Sequence, residues 1–323
     1  MVVATLRAIE HNDLHALCDL LLRSNLADGV PEVPTVAELA EELDDEHVVL
    51  ASDTRLAFLD GTLVGASYTY HLPSEVREER CYVFGWIDPE HRGRGVGTQL
   101  LEWGLERAAV QLRASGRSLP LRIRTEAPTT AEDAQQLFVA HGLHPVRWFE
   151  TLVRPTLPGI EHRAPSGVRI VPWPDDRDDE IRQTKNTAFA DHWGSTPTNE
   201  HHWNQMVRGH GARPDLSFIA IDEHDRVVAH CLNKRFPDDD EFTGRSEGWI
   251  DNLGTLDAWR GRGVATALLA ASMRAFADAG LSHAAIGVDG DNPTGASRLY
   301  RALGFQPVRG SVTHEVTLPN PLT

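Results

Sequence analysis

Residues 91–101 read HRGRGVGTQLL, and residues 259–269 read WRGRGVATALL. Arg92 and Arg260 stand 168 positions apart (260 − 92), about half of a chain of 323 residues. A period this long marks a duplicated domain, because solenoid arrays repeat roughly every 20–50 residues. The likeness extends to both sides of the motif. Glu79-Arg80-Cys81 stands where Glu247-Gly248-Trp249 stands at the same offset. Downstream, Leu137–Leu143 (LFVAHGL) parallels Leu299–Phe305 (LYRALGF) at an offset of 162 (300 − 138), so the first copy carries six more residues between its motifs (168 − 162). Whatever this chain folds into, it folds into it twice.

Length agrees, since about 150 residues per domain gives two domains. The expected copies are residues 1–157 and 166–323, separated by Pro155–Ser166 (PTLPGIEHRAPS), where three prolines and a glycine break any regular period. At 41% hydrophobic and 24% charged, each half can bury a core. Lys+Arg 31 against Asp+Glu 47 gives a formal charge of −16, which disfavours nucleic acid as a partner. No run of 18 apolar residues appears, and MVVATLRAIEHND lacks a charged start followed by an apolar stretch, so neither a membrane span nor a secretion signal is expected. Cys18, Cys81 and Cys231 form no CxxC pair, which fits a reduced, cytoplasmic protein.

The local patterns describe one α/β unit with a mixed sheet, present in two tandem copies. In the first, Asn12 is placed to cap an apolar helix through Leu22, and Thr35 with Glu38 forms a capping box for a second helix. Strands are expected near Val48–Ala51, Arg55–Leu59 and Leu63–Tyr70, with Asp60-Gly61 as a hairpin turn. A strand at Cys81–Ile87 runs into the RGRG loop and a helix whose apolar face carries Leu101, Leu105 and Ala108. A strand at Leu121–Thr125, a helix near Ala131–Ala140 and a closing strand near Phe149–Val153 complete the copy. The second copy reads likewise, with strands near Val168–Val171, Ser217–Ile221, Val227–Lys234, Trp249–Leu256, Ala284–Val288 and Val312–Leu318, and helices at Ala265–Ala279 and Thr294–Leu303. The acidic stretches Asp175–Glu180 and Asp238–Glu241 read as solvated loops.

The strand–RGRGxG–helix unit is a phosphate cradle. Closely spaced glycines turn successive N–H groups into one concavity, and the helix that follows adds its unsatisfied N–H groups and positive dipole end. Arginines at the rim add charge. The glycines alternate in Gly93-Arg94-Gly95-Val96-Gly97, unlike a Rossmann fingerprint, and no Gly-Lys-Ser/Thr of a P-loop follows.

Arg92-x-x-Gly95-x-Gly97 and Arg260-x-x-Gly263-x-Ala265 resemble the acyl-CoA pyrophosphate motif of the GCN5-related N-acetyltransferases (GNAT enzymes). Asn292-Pro293-Thr294-Gly295-Ala296, with Leu299-Tyr300 and Gly304-Phe305, is similar to that family's second signature. The resemblance covers most of both halves and is closer in the second. It implies a mixed sheet whose two central strands splay apart, with the pantetheine arm of acetyl-CoA lying in the gap along Trp249–Leu256. It also implies acetyl-CoA as cosubstrate and no metal. The implied cofactor contacts are Leu256, Arg260, Gly261, Arg262, Gly263, Val264, Ala265, Thr266, Asn292 and Ala296, matched in the first copy by Arg92, Gly93, Arg94, Gly95, Val96, Gly97 and Thr98.

Direct acetyl transfer to an amine poses two proton problems: the ammonium loses a proton and the departing thiolate gains one. A tyrosine beside the sulfur is the usual family acid, and Tyr300 stands at the matching place; the first copy has Phe138 there, and Thr130 in place of Asn292. The resemblance thus assigns catalysis to the second copy. Glu247, Trp249 and Asp251 alternate along a strand, which makes Glu247 and then Asp251 the candidate bases. The family's acceptor pocket is built from its first helices and their loop, here Phe189–Asn199, which nominates His192, Trp193 and Ser195. The histidines, His201-His202 included, show no HExxH or similar ligand spacing. The function so implied is transfer of an acetyl group to the primary amine of a small molecule by a monomer or homodimer. A narrower alternative is the mycothiol synthase family, which also duplicates the GNAT unit, and whose strand–loop region Lys234 resembles. A different class would be a non-catalytic acyl-CoA sensor.

Overall fold

The computed structural model describes residues 3–73, 76–291 and 295–320. It divides into two compact units, one running to Trp148 and resuming at Arg309, the other Phe149–Val308.

In chain order, β1 (Thr5–Arg7) leads into α1 (Leu14–Ala27), α2 (Val36–Leu43) and the single turn α3 (Leu50–Asp53). There follow β2 (Thr54–Leu59), β3 (Thr62–Leu72), β4 (Glu79–Ile87), α4 (Val96–Ala114), β5 (Leu121–Pro128), α5 (Glu132–Ala140) and β6 (His144–Pro155). The later elements are β7 (Val168–Pro172), α6 (Asp178–Ala188), α7 (Glu200–Arg208), β8 (Phe218–Asp222), β9 (Val227–Arg235), α8 (Asp240–Thr243), β10 (Glu247–Thr255), α9 (Val264–Asp278), β11 (His283–Asp289), α10 (Ala296–Ala302) and β12 (Gln306–Leu318).

The local chemistry explains most of these boundaries. The Thr35 side chain accepts from the Glu38 N–H at 3.1 Å and so starts α2. Asp60 and Gly61 both take positive φ, 50° and 81°, the backbone a tight hairpin between β2 and β3 requires. Two expectations near the N-terminus are corrected. Asn12 lies inside a 3-10 turn, and Glu10 with Asp13 forms the capping box ahead of α1. Val48–Ala51 is not a strand, because the Asp53 carboxylate accepts from the Val49 N–H and closes α3 instead. The acidic stretch Asp175–Glu180 supplies the first turn of α6, where negative charge meets the helix N-terminus.

Phe149–Pro155 does not close the sheet of the first copy. It pairs antiparallel with β11, from Asp289↔Phe149 to His283↔Pro155. The edge of β5 is taken by β12, from Ser311↔Pro128 to Leu318↔Leu121. Strand order is therefore β1-β2-β3-β4-β5-β12 in the first unit and β7-β8-β9-β10-β11-β6 in the second. The last strands of the two copies are exchanged. Alternation of apolar residues sets which face a strand buries, not which antiparallel edge receives it.

In the second unit, Val264, Leu268, Met273 and Phe276 of α9 pack on Cys231, Ile250 and Ile286 of the sheet. Ile181, Trp203 and Val207 of α6 and α7 pack on Ile219, Ile221, Val227 and Leu232. In the first unit, α4 covers β4 and β5 through Ala108 and Leu112, while α1 and α2 bury Leu17, Leu20, Leu39 and Leu43.

Candidate functional site

Within each unit two parallel strands begin paired and then part. β10 pairs with β11 only from Glu247↔His283 to Ile250↔Ile286, and its remainder, Asn252–Thr255, bonds to β9 alone. β4 likewise leaves β5 after Tyr82↔Arg124. Each gap ends on the glycine loop. Gly261 and Gly263 have φ of 70° and 86°, Gly93 and Gly95 of 73° and 91°, and Gly263 and Gly95 directly precede α9 and α4. L-residues avoid that region, so the glycines permit the turn that exposes the N–H groups of Val264, Ala265 and Thr266, or of Val96, Gly97 and Thr98. The side chains of Val264 and Val96 point into their cores.

The motif's two arginines differ. Arg260 is a clamp: Nε donates to the Thr255 carbonyl at 3.1 Å, Nη2 to Ala188 at the end of α6 at 2.7 Å, and Nη1 meets Asp257 at 2.5 Å. Arg92 does the same in its copy, reaching Asp28 at the end of α1 at 2.6 and 2.9 Å and Ser24 at 3.1 Å. Arg94 and Arg262 are exposed, as Arg260 also is, and Arg262 lies 5.1 Å from the Trp259 ring. Leu256 caps a 3-10 turn before the loop, Ala296 opens α10 after the left-handed Gly295, and Asn292 lies outside the described residues.

On β10 a bulge falls between Ile250 and Asn252, whereas β4 has none. Ile250 faces α9 as Val83 faces α4, yet Ile250 is ten positions before Arg260 and Val83 nine before Arg92. The bulge absorbs the difference. Upstream of it, the residue matching Glu247 in the fold is therefore Arg80, not Glu79. Arg80 and Arg124 are buried together at the root of the first gap, where Arg124 bonds Glu78 at 2.7 Å and Glu315 at 2.8 Å.

Both candidate bases on β10 hold a cation. Glu247 is buried against Arg245 at 2.5 Å, and Asp251, at the bulge, sits 3.3 Å from Lys234 of β9. Tyr300 of α10 is buried in the α9-side core beside Phe305. Burial, with the Cys231 thiol nearby, pushes its phenol up, so it keeps its proton at neutral pH.

The segment 189–199 is pinned at Thr198, whose carbonyl accepts from Arg182 and Asn186 at 3.1 Å each and whose hydroxyl meets Lys185. Its other end reaches the tip of β11. Trp193 lies 6.2 Å from Phe149, the partner of Asp289, and His192 Nε2 lies 3.8 Å from Asp289 Oδ2. Ser195, partly buried, closes a turn onto the His192 carbonyl at 3.1 Å. Beside them Gly287 is exposed, with open space where a Cβ would stand. Lys185, His230 and Asp289, which lie beside this segment, carry no sequence motif. Lys185 reads as a surface helix residue, and only the packing of α6 on β9 buries it next to fully buried His230.

The acetyltransferase (GNAT) family model matches residues 14–119 and 178–305. The chain belongs to the GNAT family. It is an N-acetyltransferase, and GNAT acetyltransferases use acetyl-CoA. It is 28% identical over 304 residues to a mycothiol acetyltransferase of Amycolatopsis mediterranei, covering 92% of this chain and 93% of that one. A mycothiol acetyltransferase of Nocardiopsis dassonvillei is 29% identical over 306 residues, 85% and 89% of the two chains. The GNAT fold recurs in a GCN5-related N-acetyltransferase from Sphaerobacter thermophilus, with a TM-score of 0.77 and 24% identity over 98% of this chain and 96% of that one. It also recurs in a tandem GNAT protein from the clavulanic acid biosynthesis pathway, with a TM-score of 0.71 and 16% identity over 98% and 100%. Among the described residues, no helix is long and apolar enough to cross a membrane.

Proposed function

We propose that the second unit moves the acetyl group of acetyl-CoA directly to a primary amine of a small molecule. The observation that carries this reading is the gap between β10 and β11, bounded at one end by the Gly261–Gly263 turn and at its side by open Gly287 and the 189–199 segment. The backbone N–H groups of Val264, Ala265 and Thr266 would hold the pyrophosphate, with Arg262 at the rim. Tyr300 would give its proton to the departing thiolate. The first unit would be non-catalytic, because Phe138 has no proton to give and Arg80 with Arg124 fills the root of its gap.

A finer reading, an aminosugar-linked cysteine as acceptor, draws support from relatives named mycothiol acetyltransferases that match along most of their length. Coenzyme A thiol release against a panel of polyamines, aminoglycosides, amino acids and a glucosamine-linked cysteine tests both readings. Turnover on the last compound alone supports the finer one. Tight acetyl-CoA binding without turnover on any amine overturns the transfer reading in favour of a sensor. Gly263→Glu should abolish acetyl-CoA binding by calorimetry while Gly95→Glu leaves turnover nearly intact; the reverse would move the reaction to the first unit.

A further inference from the structure

A proton acceptor for the amine must present a lone pair beside it, and both carboxylates on β10 are held by cations, Glu247 by Arg245 and Asp251 by Lys234. The 189–199 segment offers another group. His192 Nδ1 lies 3.0 Å from the Trp193 carbonyl, which can only accept, so Nδ1 carries the proton and neutral His192 presents its lone pair at Nε2. That nitrogen faces Asp289 Oδ2 at 3.8 Å, too far for a direct hydrogen bond. The interval suits an N–H group that donates to both. Asp289 is buried, its Oδ1 accepts from the Asp291 N–H at 3.1 Å, and it lies three residues past the last pairing of β11 with β10. It shares a sheet face with Gly287, where there is room for an acceptor.

We propose that His192 and Asp289 form the seat of the acceptor amine and that His192 is its general base. This rests on the primary-amine reading above. The ammonium is held by the Asp289 carboxylate and gives one proton to His192 Nε2. The freed amine lone pair forms the C–N bond at the thioester carbonyl, the C–S bond breaks, and the thiolate takes its proton from Tyr300. The second proton lost by nitrogen passes through solvent back to Tyr300, and the imidazolium, held as an ion pair by Asp289, then releases its proton to solvent, so one proton leaves per acetyl transferred. His192 also touches the Phe189 ring at 5.5 Å. Across that ring lie Lys185 of α6, 5.9 Å away, and His230 of β9, 6.3 Å away.

Steady-state kinetics with acetyl-CoA and glucosamine-linked cysteine, or whichever amine of the panel turns over, test the assignment. His192→Gln should lower kcat about 10²-fold or more and remove the acidic limb of the kcat/KM profile, with acetyl-CoA affinity by calorimetry unchanged. Asp289→Asn should raise KM for the amine. Exposed His224→Gln should change nothing. A second readout needs no turnover: at fixed pH, the imidazole resonance of His192 followed by NMR should shift as the amine is added to wild-type protein and shift far less in Asp289→Asn, because the carboxylate holds the ammonium beside the ring. A His192→Gln enzyme with the wild-type rate and pH profile, or a His192 resonance that responds to the amine equally in wild type and Asp289→Asn, overturns the assignment. Wild-type protein that binds acetyl-CoA and acetylates no amine defeats the underlying reading instead.

Discussion

Tyr300 and Phe138 show how one oxygen separates the two copies. The Phe138 ring packs edge-on to His314 at 5.4 Å, so the position stays structural where the hydroxyl is lost. Tyr300→Phe should therefore fold normally and bind acetyl-CoA, yet lose on the order of 10²-fold in single-turnover rate; an unchanged rate would remove Tyr300 from the mechanism. Lys185 is a second residue-scale case. Among the described residues no carboxylate pairs with it, and burial lowers its ammonium to about 8. An unfolded lysine titrates near 10.4, so between these values the unfolded chain binds more protons and stability rises with pH. Below pH 8 the buried charge costs on the order of 3 kcal/mol. Lys185→Met should accordingly stabilise the protein at pH 7 and much less at pH 10, as read by denaturant midpoints at the two pH values.

Strand, loop and helix together carry what no single residue does. The RGRG motif was legible as a glycine turn at a helix start because glycine spacing is a local property of the backbone. The clamp made by its first arginine was not, since Ala188 lies 72 positions from Arg260 in sequence. Through that clamp the turn that would bind pyrophosphate is tied to the end of α6, where the 189–199 segment begins. Arg260→Gln should raise the acceptor KM several-fold more than it weakens acetyl-CoA binding, and Arg260→Lys should restore little, because one ammonium cannot reach three acceptors as a guanidinium fork does. Acceptor KM unchanged in both variants would sink the coupling. The β10 bulge was equally hidden: a one-residue insertion leaves an alternating pattern readable on either side of it while shifting every face upstream.

For the molecule as a whole, strand exchange makes a sharp prediction. Removing Arg309–Thr323 deletes the paired part of β12 and leaves Arg124 without Glu315, a buried-pair loss of about 3–5 kcal/mol. Hydrogen exchange should then show β4 and β5 losing protection while β10, β11 and α9 keep theirs; the opposite pattern would mean that each linear half folds on its own strands. The sequence by itself determined that one α/β unit occurs twice, that each copy carries a glycine-rich turn between strand and helix, and that the second has Tyr300 where the first has Phe138. Those facts reside in spacing and residue type, which are local. Only the tertiary structure decided which closing strand completes which sheet, that Glu247 and Asp251 hold cations, and that His192 meets Asp289 at the tip of β11. These depend on edge choice, register and the burial of charge, and all three are set by residues far apart in the chain.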